Sequence, residues 1–123
     1  ERTFHIPLPP LIFLGAGVQY RVYAVKRRPQ VMLPELYHCP TPNVHPDGLI
    51  CQGSAPFPAC ASDTIEQALS LFLEGSLFNG DLAAGKCRRF PDDVRRLWGQ
   101  LEGARRFPPG ELVSVLTMPD FAL

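Results

Sequence analysis

No run of apolar residues in this chain approaches the roughly 18 that a membrane-spanning helix requires, and no basic-then-apolar leader is visible. Charge of one sign is also missing. Twelve basic residues balance twelve acidic ones, so the chain lacks the electrostatic footprint of a nucleic-acid binder. The four cysteines, Cys39, Cys51, Cys60 and Cys87, lie 12, 9 and 27 residues apart. Without a CxxC pair the strongest zinc signature is absent. There are no internal repeats and no low-complexity tract. The first residue is Glu1 rather than Met, which leads us to expect a fragment of a longer protein.

What is present is a globular composition, with 46% apolar and 20% charged residues. A length of 123 residues suits one domain, 1–123, with a core of its own. A domain of that size needs no disulfide, so reduced thiols and a cytoplasmic location are expected. Fourteen prolines, about twice the average usage, predict short elements and many fixed turns.

Periodicity divides the chain into strands first and helices second, an α+β pattern. Residues 3–8 alternate loosely, and 11–14 form a short apolar run that stops at Gly15-Ala16-Gly17. Residues 18–25 alternate and are rich in β-branched and aromatic types, so a hairpin is expected. A further strand is predicted over 30–37, broken by Pro34, completing an antiparallel meander of three or four strands. After a loop over 52–61, Asp63 and Glu66 form a capping-box-like helix start. Ile65, Ala68, Leu69, Phe72 and Leu73 then mark one buried face, ending near Gly75. A second helix is predicted from Pro91, with Asp92 and Asp93 at its positive end. Val94, Leu97, Trp98 and Leu101 make its stripe, and Gly103 is its stop. Residues 111–116 are expected to add one more helical turn. Phe72 and Trp98 read as core anchors.

Between the two halves lies the densest stretch, residues 37–51, with Pro40, Pro42 and Pro46, an Asp47-Gly48 turn signal and two cysteines. A cysteine just past a rigid turn is where a nucleophilic thiol can be displayed, and Cys51 holds that position. The bland alternative is a small buried hydrophobe. His38 and His45, with Cys39, Cys51 and Cys60, suggest a metal nest. Their spacing is not that of a structural zinc site, so no metal or organic cofactor is expected.

The order of elements, with Pro42-Asn43, then Gly48, Ile50 and Cys51 eight residues after Asn43, resembles the ubiquitin-conjugating (UBC-like) family. Members carry a His-Pro-Asn tripeptide, an extended turn with Gly, then Ile or Val and the catalytic Cys. The specific resemblance covers residues 19–83. Thr41 stands where the family has His, and Gln52-Gly53 replaces a common hydrophobic-acidic pair. The N-terminal helix is missing and the C-terminal helices are reduced. A chain so shortened is similar to the prokaryotic relatives, such as protein B of the PRTRC plasmid systems or the conjugating component of a bacterial ubiquitin-like operon.

The resemblance implies an acyl carrier. Cys51 would accept a ubiquitin-like protein as a thioester from a ThiF-type activating enzyme and pass it to an amine on a protein substrate. Asn43 would order the loop or donate to the oxyanion. Asp81, with Asn79 as an alternative, would orient or deprotonate the incoming amine. Thr41 favours a second reading, an inactive UBC-like scaffold of a plasmid-encoded multi-protein system. A third is a thiol redox enzyme pairing Cys51 with Cys60 or Cys39. Neither nucleic acid nor membrane is an expected partner.

Overall fold

The computed structural model describes residues 3–27, 35–53, 56–75 and 78–115. Strands β1 (Leu11–Ala16) and β2 (Gln19–Ala24) form the expected antiparallel hairpin, in register from Leu11 opposite Ala24 to Ala16 opposite Gln19. Its turn falls at Gly17 and Val18, later than the Gly15-Ala16-Gly17 run suggests, with Gly17 at φ +62°. Strand β3 (Tyr37–His38) pairs with the other edge of β2 through Tyr23 opposite His38 and Ala24 opposite Tyr37. The sheet order is β1-β2-β3. The start of the strand predicted over 30–37 lies outside the described residues.

Because side chains alternate across a strand, β2 serves both faces of the sheet. Tyr20 and Val22 pack with Ala68, Phe72, Phe57, Val44 and Ile50. Ala24 joins a second cluster around Leu97, Trp98, Leu101, Phe107 and Leu112. On the opposite face, Tyr23 and Val25 meet Leu36 and Val115. The strand with the strongest β pattern is therefore buried on both sides, and the helices dock on it.

Helix α1 (Ile65–Ser70) continues into a single π-helical turn, Leu71–Gly75. Its apolar face is the predicted one, with Ala68 and Phe72 fully buried. The predicted cap is corrected: Thr64, not Asp63, occupies the N-cap and makes no capping hydrogen bond. Its hydroxyl instead donates to the Ala59 carbonyl (2.7 Å) and accepts from the Ala61 N–H (3.0 Å), bracing the preceding loop. Helix α2 (Arg95–Leu101) starts four residues beyond the predicted Pro91; Asp93 Oδ1 accepts the Arg95 N–H at 3.0 Å just before it, and Asp92 and Asp93 pair with Arg96 and Arg95. Its buried residues are Leu97, Trp98 and Leu101, behind a buried Val94.

The helical turn expected over 111–116 is also corrected. A 3₁₀ turn occupies Pro109–Glu111, and the chain then runs extended beside β3. The His38 N–H donates to the Val113 carbonyl (2.9 Å) and the Val115 N–H to Leu36 (3.1 Å). β3 would otherwise present an open edge of backbone groups, and β-branched Val113 and Val115 suit an extended partner better than a helix.

Trp98 links this core to the 37–51 stretch. Its ring meets Phe4 and Phe78 edge-on, with centroids 5.5 and 5.4 Å away, while its indole N–H donates to the Pro40 carbonyl at 3.1 Å. Trp98→Phe keeps an aromatic ring but orphans that carbonyl. Urea denaturation is expected to show a loss of about 1–3 kcal/mol.

Candidate active site

The 37–51 stretch leaves the edge of β2 at His38 and rejoins the same edge ten residues later. On return, the Val22 N–H donates to Gly48 and the Ile50 N–H to Tyr20, both at 2.9 Å. The loop between is a distorted hairpin of its own. Val44 bridges Ile50, the His45 N–H donates to Leu49, and the Cys51 N–H donates to the Asn43 carbonyl, the last two at 2.8 Å.

The turn that closes this hairpin is the predicted Asp47-Gly48. Gly48 adopts φ +89°, and a Cβ there would lie 2.4–2.6 Å from the Tyr23 ring beneath it. Only glycine meets both demands. Asp47 Oδ1 accepts the Leu49 N–H at 3.0 Å, and the Tyr23 hydroxyl donates to the Asp47 carbonyl. Ile50 is buried, and Cys51, one residue on, is exposed. The alternation of an extended segment places one side chain in the core and the next in solvent. The sequence left open a buried, inert Cys51; its side chain instead faces water.

Asn43 takes φ +65°, a left-handed conformation that Asn tolerates better than most residues. Its N–H donates to the Asp81 carbonyl at 3.0 Å. Two backbone hydrogen bonds thus run in series from Asp81 through Asn43 to Cys51, and the three candidate residues share one neighbourhood. Asp81 itself is exposed, and its N–H is held at 2.9 Å by the Asn79 side-chain oxygen. Asn79 therefore shapes the turn that carries Asp81. Gln52 follows Cys51 as a clip, its amide donating to Val18 at the hairpin tip and accepting the Phe57 N–H at 2.9 Å.

Thr41, at the position of the family's histidine, is 1% exposed and points inward. Its hydroxyl donates to Cys39 Sγ at 3.6 Å. Cys39 is wholly buried, which pushes its thiol up to about 11, so it is poorly suited to redox exchange with Cys51 at neutral pH. Among the described residues, no group of three or more His, Cys, Asp or Glu converges as a metal site.

One residue at the site escaped the sequence reading. Lys86 is 4% exposed, and its Nζ donates to the Val44 carbonyl. Burial pushes its ammonium down to about 8, against a small opposing pull from Cys39. The faint sequence signal is a lone Lys in Ala83-Ala84-Gly85-Lys86-Cys87, where every neighbour is small or apolar. His38, half-buried on β3, is also pushed down, by burial first and by Lys86 second.

This fold, a small antiparallel sheet with two helices and an exposed Cys after a glycine turn, is that of a reduced ubiquitin-conjugating-like protein. The chain matches the family described as Prokaryotic E2 family D over residues 1–115. It belongs to that family. No match is found among curated proteins or among solved structures. Among the described residues no helix is long and apolar enough to cross a membrane.

Two outcomes follow from this geometry. Gly48→Ala forces a side chain into the Tyr23 ring at positive φ, and denaturation should show a loss of about 2 kcal/mol or more. Gly53→Ala, at φ +63° in open space, should cost less. The second concerns pH. An unfolded Lys86 keeps its proton to its ordinary 10.5, whereas the folded one releases it near 8. Between those values the unfolded state binds more protons, so stability rises with pH. Cys39 acts oppositely between 9 and about 11, its thiol staying protonated in the fold. Subtracting Lys86→Met isolates the lysine. In urea denaturation the unaltered protein should gain roughly 1–3 kcal/mol on the variant across the lysine window.

Proposed function

We propose that this protein is an acyl carrier that accepts the C-terminus of a ubiquitin-like protein on Cys51 and transfers it to an amine. The observation that carries the reading is the exposed Cys51 thiol, held by its own N–H on Asn43 within a chain of the E2 family. In the first step the Cys51 thiolate attacks the carbonyl of a thioester on a ThiF-type activating enzyme. A new S–C bond forms, the old one breaks, and the enzyme's thiolate leaves. In the second step a neutral amine attacks the Cys51 thioester, an amide forms, Cys51 departs as thiolate, and the amine's surplus proton passes to solvent or to a base.

In this reading Asn43 orders the loop and stands beside the developing oxyanion, where loss of a donor costs about 2.7–4 kcal/mol of barrier in a well-studied hydrolase. The Asp81 carbonyl accepts the Asn43 N–H, and we assign the Asp81 side chain the orientation of the amine. No metal or organic cofactor takes part, and the partners are the ubiquitin-like protein, the activating enzyme and a protein substrate in the cytoplasm.

Thr41 supports the competing reading, a UBC-like scaffold within a plasmid-encoded multi-protein system. Its hydroxyl is spent on Cys39 and not on the 43–51 loop. The two readings separate in one experiment. The protein is mixed with ATP and with the activating enzyme and ubiquitin-like protein encoded beside it. A covalent adduct that a thiol reductant removes, and that Cys51→Ala abolishes, is the expected result. No adduct with demonstrably active partners establishes the scaffold instead.

A further inference from the structure

Lysine is among the side chains least often fully buried without a partner, yet Lys86 is 4% exposed. The ion pairs among the described residues involve Arg21, Arg89, Arg95 and Arg96, and none reaches Lys86. The groups that bear on it electrostatically are Cys39 and His38, neither of them anionic at neutral pH. A buried ammonium without a carboxylate is costly unless its protons are accepted elsewhere.

The acceptor explains the position. Val44 and Ile50 face each other as a non-hydrogen-bonded pair, since the ladder bonds are made by their neighbours, His45 to Leu49 and Cys51 to Asn43. The Val44 carbonyl therefore points away from the segment that carries Cys51, to where no strand among the described residues answers it. Lys86 Nζ fills that place from 42 residues away. The 49–50 arm of the 43–51 hairpin is thus held by β2 and its turn by Tyr23, while on the other arm the Asn43 N–H goes to Asp81 and the Val44 carbonyl is held by Lys86. Thr41, in the same stretch, turns its hydroxyl inward to Cys39 and gives the 43–51 loop no side-chain hydrogen bond.

We propose that Lys86 is the positioning residue of the 43–51 loop, fixing the display of Cys51 through the Val44 carbonyl. The consequence for transfer rests on the acyl-carrier reading; the positioning itself does not. The ammonium is a charge-assisted donor to that carbonyl.

The test is amide hydrogen exchange by NMR on the intact chain. Lys86→Met keeps the aliphatic stem and removes the donor, and Lys86→Arg restores a cationic donor. In the Met variant the Cys51 and His45 amides should exchange about tenfold faster, while the Ala68 amide in α1 moves far less. The Arg variant should recover most of the difference. Cys51 and His45 amides that keep their rates, or a uniform acceleration of every amide, would overturn the proposal, the latter because it marks a purely global stability role.

If Lys86→Met does not fold, Lys86→Gln, whose shorter stem cannot reach the Val44 carbonyl, decides. The Cys51 and His45 amides should again exchange faster relative to Ala68 than in the unaltered protein. An unchanged ratio overturns the proposal. With the activating enzyme, ubiquitin-like protein and ATP, adduct formation on the Met variant should slow about tenfold; an unchanged rate also counts against the proposal. Should the unaltered protein form no adduct while the exchange results hold, the acyl-carrier reading fails and the positioning role stands.

Discussion

The carbonyl groups of the 40–47 loop constrain everything around Cys51. Pro40, Pro42 and Pro46 carry no N–H, so this stretch cannot run as a ladder along β2 and must detach from the sheet. Detached carbonyls still need donors when they are buried. They receive them from three different places: the indole of Trp98 reaches Pro40, the ammonium of Lys86 reaches Val44 and the phenol of Tyr23 reaches Asp47. The segments far apart in sequence are fastened to one another through this loop.

Each of these donors is delivered by packing that also serves another purpose. Tyr23 lies on the face of β2 opposite Tyr20 and Val22, which places its hydroxyl under the Asp47-Gly48 turn while its ring fills the space a Gly48 side chain would need. Trp98 belongs to the buried stripe of α2, and only that rotation of the helix turns its N–H toward Pro40. A single such bond contributes about 0.5–1.5 kcal/mol net, but leaving its acceptor buried and unpaired costs about 1–3 kcal/mol. Because the three converge on one loop, loss of one weakens the geometry of the others, and their effects should not add independently.

What could be read from the sequence follows the same division. Local chemistry was legible: the hairpin from alternation in residues 18–25, the Gly48 turn from its dipeptide, the buried stripes of both helices from their spacing. Neighbour relations were not. The start of α2 falls at Arg95 rather than Pro91, where Asp93 binds both the Arg95 backbone N–H and its guanidinium, a pairing that composition alone does not specify. The segment after Glu111 runs extended beside the open edge of β3, a partner that its own sequence does not announce. The turn before it marks Cys51 and the resemblance adds Asn43 and Asp81, and the fold puts the three in one chain of backbone bonds. Lys86 carries only a faint signal, since its contact is with a carbonyl 42 residues away.

The proposed chemistry also accounts for why so much of the fold is spent on placing one thiol. Moving an acyl group from one cysteine to another breaks and makes the same kind of bond, so the step has little driving force and little need of a strong base or a metal. What it requires is that sulfur, carbonyl carbon and incoming nucleophile meet in a productive arrangement, and orientation of that kind can lower a barrier by about 7–11 kcal/mol in favourable systems. A freely moving Cys51 would forfeit most of it. The ladder from Asn43, the glycine turn over Tyr23 and the Gln52 clip to Val18 hold the backbone on both sides of the thiol while leaving its side chain in solvent. Rigid backbone with an open side chain is the combination that acyl exchange between two proteins needs, because the partner must bring its own carbonyl to the sulfur.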